Sequence, residues 1–381
     1  MDKNIKKTNW QAKKLGEVLK LEYGKPLPKS ERVTDGQYPV YGANGIKSWS
    51  NSFYYDQATI VVGRKGSAGE INLTKEKFWP LDVTYFVRFD DKKYNLKFLY
   101  NLLETLELTK LAKGVKPGIN RNDVYGIAVK IPELKEQHRI VKILDEVFAD
   151  VAKAKKNAEK NLQNAKELFE SYLQSVFANP GKDWEEKRLG EVCDFVRGPF
   201  GGSLKKSIFK KEGYVVYEQQ HAIYNQFTKV RYFIDEKKFN EMKRFELKSG
   251  DLIMSCSGTM GKIAIAPDDI KRGIINQALL KLSPSKNLLN VFLKNWIESG
   301  VFQDDLKIYT KGAAIKNIVS VKILKGIKIL VPKIQEQKTI VKKIAALSAE
   351  TKKLEVIYKQ KLADLEELKK SVLKKAFNGE L

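Results

Sequence analysis

Two stretches of the chain carry a long apolar seam with steps of four and three. The first runs Ile140, Leu144, Val147, Val151, Ala154, Ala158, Asn161, Ala165, Leu168 and Tyr172. The second runs Ile340, Ile344, Leu347, Thr351, Leu354, Tyr358, Lys361, Leu365, Leu368 and Val372. This is a heptad pattern held for more than four heptads. Each seam has a polar residue at the same place, Asn161 and Lys361, and a polar core position can fix register. A proline precedes each stretch, which suits a helix start. No Gly or Pro interrupts residues 133–179 or 333–378. The pattern predicts two helices of about 45 residues and about 65 Å each. Their seams are equal in length, so they are expected to pack on each other.

Elsewhere the periodicity is short. Residues 1–131 and 181–331 read as mixed domains of brief strands, turns and a few helices. Ala58–Val62, Tyr85–Phe89, Gly250–Ser255 and Lys328–Val331 have strand character, Leu96–Leu111 and Leu288–Phe302 helical character. Residues 38–45, YPVYGANG, are rich in turn formers.

The two halves repeat each other. Trp10 to Val18, WQAKKLGEV, returns at Trp184 as WEEKRLGEV. Pro132, Glu136, Gln137, Ile140, Val141 and Lys142 return as Pro332, Glu336, Gln337, Ile340, Val341 and Lys342. Glu167, Leu168, Ser171, Leu173 and Phe177 return as Glu367, Leu368, Ser371, Leu373 and Phe377. Between these anchors the offset drifts, and Gly66–Gly69 aligns with Gly258–Gly261. The domains therefore vary while the helices keep one length.

Charge follows the same division. The chain of 381 residues has 70 basic and 46 acidic side chains, net +24. Residues 1–130 carry net +9, 131–180 net zero, 181–330 net +10 and 331–381 net +5. The excess sits mostly on the two domains and points to a polyanion such as nucleic acid. Two Cys and two His are too few for a disulfide scaffold or a zinc cluster. They suit a reducing, cytoplasmic setting. No run of 18 apolar residues predicts a membrane span, and the charged opening MDKNIKKTNW is no secretory signal.

Several loops set basic or amide side chains beside glycine, which lets backbone approach a phosphate while the cation neutralises it. In the first domain these candidates are Lys47, Arg64, Lys65, Ser67, Lys113, Lys116, Asn120 and Arg121. In the second they are Lys205, Lys206, Gln219, Gln220, Asn225, Lys262, Lys311, Lys316 and Asn317. Arg, Asn and Gln can also read base edges.

Motifs for catalysis are sparse. Gly258–Lys262 lacks P-loop spacing, and Asn179–Pro180 is followed by Gly181 rather than Pro and an aromatic. His221 lacks an obvious Ser or Cys partner. An alternative is a DNA-recognition protein with its own nuclease or modification site, with Asp251 and Asp269 as candidate carboxylates.

The doubled Pro-x-x-x-Glu-Gln-x-x-Ile-Val at 132–141 and 332–341, and the doubled Trp-x-x-x-x-Leu-Gly-Glu-Val at 10–18 and 184–192, resemble type I restriction–modification specificity subunits over nearly the whole chain. The resemblance implies an α+β architecture of two target-recognition domains, 1–131 and 181–331. Each would be followed by a conserved helical spacer, 132–180 and 332–381, the two helices forming an antiparallel coiled coil. It implies that each domain reads one half of a split target in double-stranded DNA. Methyltransferase subunits and restriction/translocase subunits would be the partners, without a membrane. S-adenosylmethionine, ATP and magnesium are then expected on the partners and none on this chain. Glu136, Gln137, Glu336 and Gln337 are expected at the junctions, in the framework or the subunit interface.

Overall fold

The structure is a computed structural model describing residues 10–75, 77–257, 259–310 and 320–381. Its contacts divide the chain into two compact units, Met1–Glu159 with Gln360–Leu381, and Lys160–Lys359. Each unit thus holds one domain and one half of each long helix. The helices run Leu134–Ala178 and Ile334–Asn378, 45 residues apiece.

In the first unit an antiparallel ribbon of Gln11–Lys14 and Ala128–Ile131 closes the domain. A four-stranded sheet has the order Lys20–Tyr23, Thr84–Arg88, Ile60–Gly63, Ile71–Leu73. A three-stranded sheet has the order Gly45–Ser50, Tyr38–Gly42, Trp79–Pro80, the last pair parallel. The turn-rich stretch at 38–45 is therefore a hairpin, with Gly45 at φ +107°, a region glycine tolerates. Asn95 caps the helix Leu96–Thr105, its side chain accepting from Phe98 N at 3.0 Å. That helix stops short of Leu111, the chain continuing as a 3₁₀ turn over Leu108–Leu111. Phe98 and Leu99 pack with Ile60, Val62 and Val87 and with Ile140, Leu144, Leu373 and Ala376 of the long helices.

The second unit repeats this plan. Glu185–Arg188 pairs with Lys328–Val331. The four-stranded sheet runs Cys193–Arg197, Leu279–Pro284, Leu252–Ser255, Ile263–Ile265, and the three-stranded sheet Phe233–Ile234, Tyr214–Tyr217, Gly273–Ile275. The helix Asn290–Glu298 is followed directly by a second, Gly300–Thr310. Leu173, Phe177 and Ile344 join Phe292, Leu293 and Trp296 in the core.

The helices are antiparallel in both units. Early residues of the first, Ile140 and Leu144, share a core with late residues of the second, Leu373 and Ala376, and Lys155 pairs with Glu366 at 2.6 Å. Conversely, Leu173 and Phe177 of the first meet Ile344 of the second. The repeated Phe177 and Phe377 dock alike. Phe377 lies 5.1 Å from Phe98 between ring centroids, and Phe177 lies 5.3 Å from Phe292.

The predicted seam needs correction past Ala158. Asn161 and Lys361 are exposed rather than core, and Leu168 and Leu368 are 53% and 46% exposed. The buried stripe keeps Ala165 of the predicted seam and then passes through Leu173 on one helix, and through Leu373 and Ala376 on the other. A 3.6-residue helix drifts about 20° per heptad from a 3.5-residue repeat, so a strict heptad count leaves the buried face.

Candidate nucleic-acid interface

The repeated openings and junctions build the frame on which the loops stand. In Trp-x-x-x-x-Leu-Gly-Glu-Val, Leu15 and Leu189 are buried and their N–H groups donate to Ile127 O and Ile327 O, each at 2.8 Å. Glu17 and Glu191 accept from Lys14 N at 3.0 Å and Arg188 N at 2.9 Å, capping the short helical turn. A Cβ on Gly16 would stand 2.8 Å from Tyr125 Cβ, so only glycine permits that approach.

Gln137 and Gln337 are both 0% exposed. Gln137 Oε1 accepts from Asn95 N at 2.9 Å, and its Nε2 donates to Lys93 O and Pro132 O at 3.0 Å each. Gln337 Oε1 accepts from Leu289 N at 2.8 Å, and its Nε2 donates to Asn287 O at 2.9 Å and Pro332 O at 2.8 Å. Each amide ties a long helix to the start of a domain helix. All its polar atoms are engaged within the chain, which corrects a subunit-interface role for these two residues to a framework role. Glu136 and Glu336 face outward by comparison. Glu136 is held by Arg139 at 2.7 Å, and Glu336 accepts from Trp184 Nε1 at 2.8 Å. Beside each junction lies an open cleft, about 270 Å³ around Lys13, Lys93 and Pro132 and about 250 Å³ around Lys187, Asn287 and Pro332.

Most first-domain candidates come together. The turn after Ile60–Gly63 is closed by Gly69 N donating to Gly63 O at 2.8 Å, with Gly66 and Gly69 at φ +81° and +84°. Gly66 N donates to Pro117 O at 2.9 Å, and Ile119 N to Arg64 O at 3.0 Å. Lys113 and Gly118 exchange backbone hydrogen bonds, and Asn120 caps the helix Arg121–Tyr125 through Asn122 N at 2.9 Å. These bonds join residues 63–69 to 113–121 as one surface bearing Arg64, Lys65, Ser67, Lys113 and Arg121. Lys113 is paired with Asp123 at 3.1 Å. Lys116 is exposed on the turn that carries Val115. Lys47 is exposed on the neighbouring hairpin, whose Ala43 O stands 2.8 Å from where a Cβ on Gly63 would lie.

Tyr23, which the sequence patterns did not single out, sits among these cations. Its ring centroid is 5.3 Å from Arg64 Cζ and 5.1 Å from Arg121 Cζ, within cation–π range. Arg64 is fixed further, Nε and Nη2 donating to Asp82 O at 3.0 and 2.7 Å. Tyr85 stands behind Tyr23 with ring centroids 5.1 Å apart, and burial pushes its hydroxyl pKa up. An aromatic at a strand end beside a basic loop was the available signal.

The second domain uses its candidates differently. Gln219 Oε1 accepts from Ser257 N at 3.3 Å and Ser257 Oγ at 3.1 Å. This ties the helix Gln219–Tyr224 to the turn closed by Gly261 N and Ser255 O at 2.9 Å, the counterpart of the Gly63–Gly69 turn. Lys262 is exposed just beyond it. Gln220 donates to Glu218, which also holds Arg231 through two hydrogen bonds of 3.0 and 2.7 Å. Asn225 is exposed at φ 48°, and Lys205 and Lys206 are exposed on a separate loop. Lys311, Lys316 and Asn317 lie outside the described residues.

The candidate catalytic groups have structural partners. His221 is 0% exposed; its Nδ1 accepts from Glu218 N at 2.8 Å and its Nε2 lies 3.1 Å from Lys229 O. Asp251 accepts from Lys248 N at 2.9 Å and Ser283 Oγ at 2.5 Å, with Lys281 Nζ 3.8 Å away. Asp269 is exposed. Among the described residues no group of three or more His, Cys, Asp or Glu could hold a metal ion, and no helix is long and apolar enough to cross a membrane. Burial pushes the Cys193 and Cys256 thiols up to about 12.

Known proteins match this architecture end to end. The chain is 24% identical over 413 residues to the type I restriction enzyme EcoBI specificity subunit of Escherichia coli, covering all of this chain and 85% of that one. It is 25% identical to the type I restriction enzyme MjaVIII specificity subunit of Methanocaldococcus jannaschii, covering 98% and 93%. In fold it is similar to a chain from a structure of complex assembly and conformational transition of the type I R-M system, with TM-score 0.77, 20% identity and 98% of both chains covered. It is likewise similar to the HsdS subunit of Thermoanaerobacter tengcongensis, with TM-score 0.62, 20% identity and full coverage of both. The sequence profile of the type I restriction modification DNA specificity domain matches residues 7–161 and 181–366. The chain belongs to that family, with two copies of the domain in tandem.

Proposed function

We propose that this chain is the DNA-recognition subunit of a type I restriction–modification complex, each domain reading one half of a split target in double-stranded DNA. The observation that carries the reading is the duplication. Two domains are built to one plan around matched Gly63–Gly69 and Ser255–Gly261 turns. They differ in the side chains those turns present, and each is fused to helices of one common length. Conserved frames with divergent loops are what two readers of different half-sites require.

The chain scaffolds methyltransferase and restriction/translocase subunits in the cytoplasm. Matched clefts of about 270 and 250 Å³ beside the two junctions suit two copies of one partner. S-adenosylmethionine, ATP and magnesium belong to those partners, and this chain contributes no catalytic group. The lysines of the first-domain surface supply phosphate contacts, each of which releases counterions on binding.

Selection from random duplexes tests the reading. The expected result is a consensus of two short blocks separated by a fixed gap, bound with an affinity that falls steeply between low and physiological salt. A single unsplit consensus, or none, would overturn it. Cleavage of DNA by the isolated chain with divalent metal, lost in Asp251→Asn, would favour a nuclease instead.

A further inference from the structure

We propose that Tyr23, Arg64 and Arg121 form a preorganised reader for one guanine in the half-site of the first domain, an inference that rests on the DNA-recognition function above. Tyr23 is 48% exposed, so the cluster is open to a ligand. Both guanidinium groups lie within 5.3 Å of its centroid. Asp82 O takes Nε and one Nη2 hydrogen of Arg64, leaving its outer Nη1/Nη2 edge to point at a partner. The side-chain donors of Arg121 have no acceptor among the described residues, and its guanidinium rests over the Tyr23 ring.

Orientation separates a base contact from a phosphate contact. A phosphate is satisfied by a point charge, and exposed Lys65 and Lys116 already supply that. A guanidinium plane fixed by an aromatic ring and a carbonyl presents two parallel donors in a set direction. In the major groove, guanine offers two adjacent acceptors, O6 and N7, to such a fork.

Among the described residues the second domain has no such cluster at the equivalent place. Tyr23 is opposite Tyr85 and Arg197 is opposite Leu280 in corresponding strand pairs. Two residues beyond Val62, which faces Tyr85, stands Arg64. Two beyond Met254, which faces Leu280, stands Cys256, 0% exposed. The two domains therefore present different groups from one position, and the guanine preference belongs to one half-site only.

The test compares the full-length wild type with Arg121→Lys, Arg64→Lys and Tyr23→Leu in selection from random duplexes, with thermal unfolding to confirm folding. Lysine keeps the charge and loses the fork. The expected result is a guanine at one position of one block in the wild-type consensus. Preference for it should fall about tenfold or more in Arg121→Lys or Arg64→Lys and weaken in Tyr23→Leu, with the other block unchanged. A uniform loss of affinity with the consensus intact would overturn the inference and make these residues phosphate contacts. A wild type that selects no two-block consensus would overturn both the inference and the function it rests on.

Discussion

Gln137 and Gln337 show how much one side chain can hold. Each is fully buried and makes three hydrogen bonds, joining a long helix to the start of a domain helix. Removing one partner leaves buried backbone groups unsatisfied, at a cost of about 1–3 kcal/mol for each group. Gln137→Ala is expected to lower the stability of the full chain by about 2–4 kcal/mol, read as a fall in urea midpoint. A change within about 0.5 kcal/mol would remove the clamp. The thiols give a second prediction. Cys193 and Cys256 are buried with pKa raised to about 12, so at pH 8 the native protein should leave a thiol reagent unreacted and the urea-unfolded protein should consume two equivalents. Unfolded thiols ionise from about pH 8.5 upward while folded ones stay protonated. Their contribution to stability is therefore whole below that pH and is lost as pH rises towards 12. The Glu-Gln pair was visible in the sequence as a repeat, but its role was not. Two of the three partners of Gln137 are 42 and 44 residues away, at Asn95 and Lys93. Tyr23 escaped for the same reason, since Arg64 and Arg121 reach it only through the folded sheet.

At the scale of elements, the long helices were the most legible part of the chain. Freedom from Gly and Pro over about 45 residues set both lengths correctly, and the four runs read as strands fall within two residues of Ile60–Gly63, Thr84–Arg88, Leu252–Ser255 and Lys328–Val331, while strands such as Lys20–Tyr23 and Cys193–Arg197 went unread. Pairing order and the parallel contacts, such as Val40 with Trp79, depend on residues too far apart for local pattern to reveal. The seam was legible only in part. Val147 and Val151 remain half-buried, and Thr351 is buried with its hydroxyl donating to Leu347 O at 3.0 Å. Asn161 and Lys361, read as register-fixing core residues, are exposed because the buried face had rotated past them. Asn161→Leu should therefore leave stability within about 0.5 kcal/mol of wild type. Ala165 is 4% exposed, and Ala165→Asp should cost about 2 kcal/mol or more by burying an unpaired charge. Urea unfolding of both variants decides the matter. A large loss in Asn161→Leu would restore the core place that the heptad count gives it, and no loss in Ala165→Asp would take Ala165 off the buried face.

For the whole molecule, duplication makes length a functional variable. The domains carry net +9 and +10, enough for two separate DNA contacts, and the helices keep one length of 45 residues. A helix of that length is about 65 Å, or about 20 base pairs at 3.4 Å each, which bounds the separation of two half-sites. If the paired helices set that separation, shortening both equally should move the half-sites together. Lys155 and Glu366 mark a level where the helices lie side by side, so residues 153–159 and 362–368 form a matched pair of heptads. Deleting both removes about 10 Å and keeps the apolar faces in phase. The expected consensus retains its two blocks with a gap about three base pairs shorter. Deleting residues 153–159 alone is different. The Ile140–Leu373 and Leu173–Ile344 packings could no longer form together, so that variant should lose stability and binding to the two-part target. An unchanged gap in the matched deletion, with both blocks still selected, would mean that something other than helix length sets the spacing.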